Sequence, residues 1–481
     1  MHIILIIRIL GYLMIFLSGA MLLPIPFSFY YGESDYVFFL LSSGISALLG
    51  FIIVILLGKQ KKEMRPKEGF AVVTFGWIVF SLIGALPAFL SGEIPSYTDA
   101  FFETMSGFST TGATILTDVE ALSHGILFWR SLTHWLGGMG IIMLSIAILP
   151  FLGVGGMQLF KAEVPGPVVD KLKPRMTETA KLLWMVYLVF TAVETILLMF
   201  GGMTFFDALC HSFGTMATGG FSTKNASVAA YGSGYIDYVI IIFMFIAGTN
   251  FSLHYQWLRG NFRDVFKNQE FRTFALIIGI ATILIGIDTF FNFYTNIWDT
   301  LQFSLFQVLA IITTTGFGTA DYESWSFSSQ MILFFLMFVG GSAGSTGGGM
   351  KVLRIYLLYK FIYSEFVRLL HPQAVVPIRY GGTVVDRNVM MNVLGFFVLY
   401  LLLTVVGVII VSAFNYDVET SFGVVAATLN NIGPGLGDVG PTDNYAHFPD
   451  AVKWILSFFM LVGRLEVFTV IILLSPRYWK K

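Results

Sequence analysis

Thr314-Thr315-Gly316-Phe317-Gly318 is the best formed of four related stretches in this chain of 481 residues. The other three are Thr110-Thr111-Gly112-Ala113-Thr114, Ala217-Thr218-Gly219-Gly220-Phe221 and Asn431-Ile432-Gly433-Pro434-Gly435. Each follows a short apolar segment and precedes a long one. The central glycines Gly112, Gly219, Gly316 and Gly433 lie 107, 97 and 117 residues apart. Element order kept while side chains diverge is the mark of a chain built from several copies of one unit.

Those units belong in a membrane. The chain is 56% hydrophobic and 12% charged, with a mean hydropathy of +0.78, against roughly 25% charged residues in a soluble domain. The single cysteine, Cys210, excludes an intrachain disulfide and a thiol metal cluster. A net charge of −1 gives no basic field for nucleic acid.

Windows of roughly 20 apolar residues predict ten spans. They lie near 3–30, 37–58, 69–91, 126–152, 178–202, 235–258, 272–293, 329–369, 389–413 and 450–475. Four shorter apolar pieces, near 98–109, 205–216, 299–312 and 418–429, are too short to cross. Such pieces persist at membrane depth when protein buries them or they line a wet cavity. The expected fold is an all-α polytopic membrane protein with four span, short helix, glycine loop, span repeats around a central pore. Its divisions are 1–68 (two extra N-terminal helices), 69–176, 177–271, 272–388 (with a broken second helix) and 389–481. Asp99, Asp207, Asp299 and Glu419 stand near the starts of the short helices, where a negative charge is favoured.

Charge is sorted by side. Basic residues fill one set of loops: Lys59, Lys61, Lys62, Arg65 and Lys67; Lys161, Lys171, Lys173 and Arg175; Arg259, Arg263, Lys267 and Arg272; Arg368, Arg379 and Arg387; Arg477, Lys480 and Lys481. The glycine loops fall in the other set, where residues 92–125, 294–328 and 414–450 carry acids and no base; only Lys224 breaks the pattern. The positive-inside rule puts the basic loops and both termini in the cytoplasm, with all four glycine loops opening outward. The outer acids read either as a vestibule that concentrates cations or as what remains when bases are retained inside.

Four convergent loops can supply a ring of backbone carbonyls, as four TVGYG loops do in tetrameric potassium channels. Successive carbonyls turn towards one axis only if the backbone alternates between unusual regions, which glycine enters at little cost. The candidate filter residues are Thr110, Thr111 and Gly112; Ala217, Thr218 and Gly219; Thr314, Thr315 and Gly316; Asn431, Ile432 and Gly433. Only the third loop comes close to TVGYG, so a short stack is expected, with one well-defined ion site near the central glycines. The expected cargo is K⁺, and nothing in the chain looks like a nucleotide site.

Two features lie below the loops. Residues 340–349, Gly-Gly-Ser-Ala-Gly-Ser-Thr-Gly-Gly-Gly, hold six glycines, each costing a helix roughly 1 kcal/mol relative to alanine. The eighth span should break there and leave a flexible segment. Alternatively, Gly340, Gly344 and Gly348 have the spacing of a close helix–helix contact. A phosphate-loop reading fails, since Met350 separates Gly349 from Lys351 and no strand precedes it. Lys351 and Arg354 just beyond are expected at the cytoplasmic face, open to a partner. Arg464 stands in the middle of the last span, where a charge faces a cavity or a partner. It reads as a positive barrier in the pore or as one member of an ion pair, with Glu466 or Glu194 as candidates. His134, Asn250 and His254 either line the inner pore or tie helices together.

With these loops, the chain resembles the superfamily of Trk, Ktr and HKT potassium transporters over essentially its whole length. The two extra N-terminal spans make it similar to the TrkH-type membrane subunit. The resemblance implies a homodimer in the bacterial inner membrane that moves K⁺ inward. It also implies a TrkA-type cytoplasmic ring of regulatory subunits that binds NAD or ATP. It assigns the filter to Gly112, Gly219, Gly316, Gly433 and the residues preceding them. It assigns gating to the loop holding Gly340, Gly341, Gly344, Gly347, Gly348 and Gly349, with Lys351 beside it and Arg464 in the pore beneath the filter. Conduction and proton- or sodium-coupled symport stay open. A coupled secondary transporter of a small solute is the alternative function; inverted repeats, expected there, would put equivalent loops on opposite sides. No defensible nucleophile–base pair or metal-spaced His/Cys/Asp cluster is present, which argues against an intramembrane enzyme.

Overall fold

In a computed structural model the structure describes residues 2–58, 64, 66–140 and 176–480. The second half of the span near 126–152, and the basic residues Lys59, Lys61, Lys62, Arg65, Lys161, Lys171, Lys173, Arg175 and Lys481, lie outside them. The chain is an all-α polytopic membrane protein. Among the described residues the only strands are a two-residue pair, Arg379–Tyr380 and Thr383–Val384, about the Gly381-Gly382 turn.

Among the described residues six helices are long and apolar enough to cross a membrane, and eight spans result when each bent pair counts as one. Four of the ten predicted spans are not continuous long helices among the described residues. His124–Gly138 runs up to undescribed residues. The eighth span is interrupted at the glycine run, leaving Phe327–Met337 and Val352–Leu370 on either side. The second span of two other units bends sharply. Gly234–Ala247 turns by 104° into Phe251–Leu258, and Asp450–Arg464 by 113° into Phe468–Leu474. The four short helices form where expected, at Tyr97–Phe108, Phe205–Met216, Ile297–Ile312 and Val418–Leu429.

One helix, Tyr36–Leu57, packs chiefly through small residues and leaves most of its large apolar ones outside. In Tyr36–Leu57 the buried positions are Phe39, Ser42, Ser43, Ser46 and Gly50, while Leu48, Phe51, Ile55 and Leu56 are exposed. In lipid, greasy contact brings no advantage over the solvent, so close backbone approach and interhelical hydrogen bonds hold helices together. Ser46 Oγ donates to the Met14 carbonyl at 2.8 Å, and Ser43 Oγ to that of Ser18 at 2.8 Å. Between these bonds and the end that holds Ile3 and Leu57, Gly11 and Gly50 face each other. A Cβ on Gly50 would lie 2.7 Å from the Gly11 carbonyl oxygen and 2.8 Å from Ile15.

Gly50→Ala should therefore push Ile3–Ala20 and Tyr36–Leu57 apart, at a cost of about 1–3 kcal/mol. Gly44, on the same helix with open space around it, is the control: Gly44→Ala should stabilise through helix propensity. Thermal unfolding of the two purified variants in detergent is expected to shift in opposite directions.

Candidate ion-binding ring and the loop beneath it

Each short helix is capped, and each carries an acid in its first turn. Ser96 accepts from Asp99 N, Thr204 from Asp207 N, Asn296 from Trp298 N and Asp417 from Thr420 N. At the other end all four helices run into their loops through one hydrogen-bond pattern. The N–H groups of Thr111, Gly219, Thr315 and Ile432 donate to the carbonyls of Ser106, Gly214, Ala310 and Ala427, at 2.8–2.9 Å. The residues on either side of each have positive φ. Thr110, Thr218, Thr314 and Asn431 stand at 54–60°, and Gly112, Gly220, Gly316 and Gly433 at 76–97°. This is the alternation that turns consecutive carbonyls the same way.

The pattern corrects the repeat register by one residue in the second loop. The counterpart of Gly112, Gly316 and Gly433 is Gly220, and Gly219 matches Thr111, Thr315 and Ile432. The spacings become 108, 96 and 117. Thr218 then aligns with Thr110, while Ala217 caps the short helix as Ser109, Thr313 and Asn430 do.

The corrected glycines close a ring. A Cβ on Gly112 would collide with the Gly219 carbonyl oxygen, one on Gly220 with that of Thr315, and one on Gly316 with that of Ile432. One on Gly433 would lie 2.7 Å from the Thr111 oxygen. Each loop thus backs its glycine onto the next loop's carbonyl, in chain order and round to the start. Asn431 Nδ2 adds a side-chain tie across the closing joint, donating to Thr111 Oγ1 at 2.9 Å and to the Met460 carbonyl at 2.8 Å.

Behind the ring the loops differ. Thr111 and Thr315 pair their hydroxyls with Ser109 and Thr313 at 2.7 and 2.8 Å. Loop two has no side chain at the matching position, because the His134 ring fills that space. A Cβ on Gly219 would strike His134, whose ring stacks on Phe221 with centroids 4.0 Å apart and whose Nδ1 accepts from Phe221 N at 3.4 Å. His134 therefore ties, as does His254, which bonds the Ile246 carbonyl at 2.8 Å, while Asn250 caps its own helix, Phe251–Leu258.

On the side of the ring away from residues 340–349 lies a cavity of about 170 Å³, lined by Gly112, Gly220, Gly316 and Gly433. Its charged lining is Arg130, Lys224 and Asp443, so the outer acids do not gather there. Two tyrosines hold its walls: Tyr445 Oη donates to the Gly433 carbonyl and Tyr322 Oη to that of Gly435, both at 2.7 Å. No sequence pattern links these tyrosines to the loops they grip. Next to Tyr322, the Glu323 carboxylate accepts from Gly437 N at 2.8 Å.

The glycine run lies directly under the ring and is not helical, so the helix-packing alternative falls. Gly340, Gly344, Gly349 and Lys351 all have positive φ. Gly348 N donates to Thr314 Oγ1 at 2.7 Å, and Thr346 Oγ1 to the Met216 carbonyl at 3.0 Å. A Cβ on Gly348 would meet the Asn430 carbonyl, one on Gly347 that of Thr313 at 2.8 Å, and one on Gly341 the Gly248 carbonyl at 3.1 Å. Arg464 fastens the remaining side. It donates to the Thr346 carbonyl at 2.6 Å, and to those of Gly137 and Gly138 at the end of His124–Gly138. Glu466 pairs with Arg354.

The expectation that Lys351 and Arg354 stand open at the cytoplasmic face is overturned. Both are buried, Lys351 on the Gly347 carbonyl and Arg354 on Glu466. Desolvating two cations so close to the loop demands partners, and the loop and the last span supply them. Among the described residues no group of three or more His, Cys, Asp or Glu could hold a metal ion; the chemistry on offer at the ring is that of neutral oxygens.

Comparisons with known proteins agree in scope with this geometry. The family model TrkH, described as "Cation transport protein", matches residues 45–481. The Trk system potassium uptake protein TrkH of Salmonella typhimurium is 44% identical over 489 residues, covering 100% of both chains. The protein of the same name from Escherichia coli strain K12 is 43% identical with the same coverage. The crystal structure of the potassium transporter TrkH from Vibrio parahaemolyticus superimposes with a TM-score of 0.90 at 39% identity, covering 100% of both chains.

Two measurements check the site. Gly219→Ala should lower the unfolding temperature of the purified protein, and His134→Ala in the same chain should restore part of the loss by vacating the space. Gly220→Ala should not be rescued that way, because it collides with backbone. The second concerns Glu323, whose carboxyl is pushed from 4.5 up to about 7, chiefly by burial and then by Asp443, Asp321 and Glu419. A raised folded value means that the folded state holds the proton more tightly than the unfolded chain. Its stabilising contribution is complete below pH 4.5 and is lost as pH rises through about 7. Glu323→Gln should flatten the fall in unfolding temperature across that window.

Proposed function

Because the chain belongs to the TrkH family of cation transport proteins, we propose that it takes up potassium across the bacterial cytoplasmic membrane through a pore on the axis of the glycine ring. As a member of a transporter family it is not an enzyme. The observation that carries the reading is the closed circuit in which each glycine backs onto the next loop's carbonyl. Such a circuit keeps the oxygens packed at fixed separation, so a dehydrated monovalent cation meets ready-made ligands. The short helices end at the loops, and their partially negative ends add a field that favours a cation and disfavours an anion.

In this reading the filter is Thr110 to Gly112, Thr218 to Gly220, Thr314 to Gly316 and Asn431 to Gly433. Residues 340–349 are its gate, closed by their contacts with the inner ends of loops two, three and four. Arg464 has two roles, a latch through Thr346 and a positive charge beneath the filter that repels cations strongly in a low-dielectric pore. Both termini are cytoplasmic, by the basic loops. Four repeats (69–176, 177–271, 272–388 and 389–481) follow two accessory helices. A homodimer working with a cytoplasmic nucleotide-binding ring completes the assembly. Since Lys351 and Arg354 are buried, such a ring acts through the surrounding cytoplasmic segments rather than by gripping those side chains.

The test is ion flux into proteoliposomes holding the purified chain. Gly316→Ser puts a side chain against the Ile432 carbonyl and should lower the preference for K⁺ over Na⁺. Arg464→Ala frees the loop and removes the charge, and should raise flux without any partner. A folded Gly316→Ser protein with unchanged selectivity would remove the filter assignment, and a folded Arg464→Ala protein that is no faster would remove the latch.

A further inference from the structure

We propose that Glu103 and Arg130 are positioning residues that lock filter loops one and two together and thereby help to set ion selectivity. The inference rests on the filter reading above and adds to it a pair of side chains that no loop motif contains. Glu103 lies in Tyr97–Phe108 and Arg130 in His124–Gly138, and both are at least 95% buried. Arg130 Nε donates to Glu103 Oε1 at 2.8 Å.

Each partner also holds the segment leaving one loop. Glu103 accepts from Ile115 N at 2.9 Å and from Thr114 Oγ1 at 2.9 Å, just past Gly112. Arg130 donates to the Ser222 carbonyl at 3.2 Å, just past Gly220, and its guanidinium lies 3.9 Å from the Phe221 ring centroid. Phe221 stacks in turn on His134, which fills the space behind Gly219. One ion pair therefore joins both loops above the contact between Gly112 and the Gly219 carbonyl. The other joints are made differently: by the Ser222–His211–Phe317 contacts between loops two and three, by Tyr322 and Glu323 between three and four, and by Tyr445 between four and one.

Chemistry explains the residue types. A carboxylate accepts from several donors at once, and the planar guanidinium spreads donors over a fork while presenting a flat face to an aromatic ring. Lysine could keep the charge but not the fork or the stacking. Arg130 also borders the cavity over the ring, where an uncompensated cation would oppose K⁺; Glu103 compensates it. Field and position are thus separable. Losing the acid charge should depress the flux of every cation, and losing the fork should let loop two shift against loop one and alter the ratio between cations.

The experiment compares K⁺ and Na⁺ flux through the full chain in proteoliposomes. Arg130→Lys is expected to cut the K⁺-over-Na⁺ ratio by roughly three- to tenfold, the scale of one ordinary net hydrogen bond. Glu103→Gln is expected to reduce both fluxes while shifting the ratio less. Gly50→Ala, destabilised far from the ring, is expected to keep the native ratio and shows what a merely structural defect does. An Arg130→Lys ratio equal to that of the native protein overturns the proposal. So does failure of both Arg130→Lys and the shorter-acid variant Glu103→Asp to assemble, because the pair is then needed for folding alone. If Gly316→Ser alters the ratio and Arg130→Lys does not, the clamp fails and the filter stands; if neither does, the filter reading fails first.

Discussion

The structure turns on one steric constraint, repeated four times: a backbone carbonyl of one loop occupies the place where the preceding loop's glycine would carry a Cβ. A methyl group at any of these glycines has to displace main chain, which has no rotamer to escape into. Everything around the ring serves to hold it. The caps fix where each short helix starts, and the five-residue return hydrogen bonds fix where it ends. The bends in the second spans then bring the chain under the ring rather than past it.

The same constraint shows what could be read from sequence and what could not. The short helices and the loops were legible because apolar length and a glycine after a Thr or Asn are local signals. The break at residues 340–349 was legible for a similar reason, as six glycines cannot hold a helix. The register of loop two was not. Gly219 and Gly220 are adjacent, and what separates them is three-dimensional: Gly220 faces the Thr315 carbonyl, while Gly219 faces a histidine 85 residues earlier in the chain. The burial of Lys351 and Arg354 was hidden too, since Glu466 reaches Arg354 from the last span, and the Gly347 carbonyl meets Lys351 inside a run that no pattern marks as buried. Charge patterning spoke poorly of surroundings. It placed acids outside, yet the cavity over the ring has one acid and two bases in its lining.

Below the ring, the glycine run is held by neutral backbone and hydroxyl groups and by three charged side chains: Arg464 on the Thr346 carbonyl, Lys351 on that of Gly347, and Glu270, which accepts from Ala343 N at 2.6 Å. Its contacts are mostly single hydrogen bonds and close backbone packing, with no large apolar side chain buried among them. Individual net hydrogen bonds are worth about 1 kcal/mol. Hydrogen bonds to charged groups are worth more, about 1.5–3 kcal/mol, so the charged contacts of Arg464, Lys351 and Glu270 are the strongest individual ties on a segment that buries no large side chain of its own.

The four joints of the ring use four different sets of side chains, and all of them are written in a single polypeptide. In a tetramer of identical subunits one base change in the gene would alter every wall of the pore together, by symmetry. Here a substitution at Glu103, His211, Tyr322 or Tyr445 touches one quarter of the circumference. Each wall can drift on its own while the other three keep the opening in shape. Fusion of the copies thus turns an all-or-none mutational target into four partly independent ones, and the divergence of the loops around their shared glycines is the expected outcome.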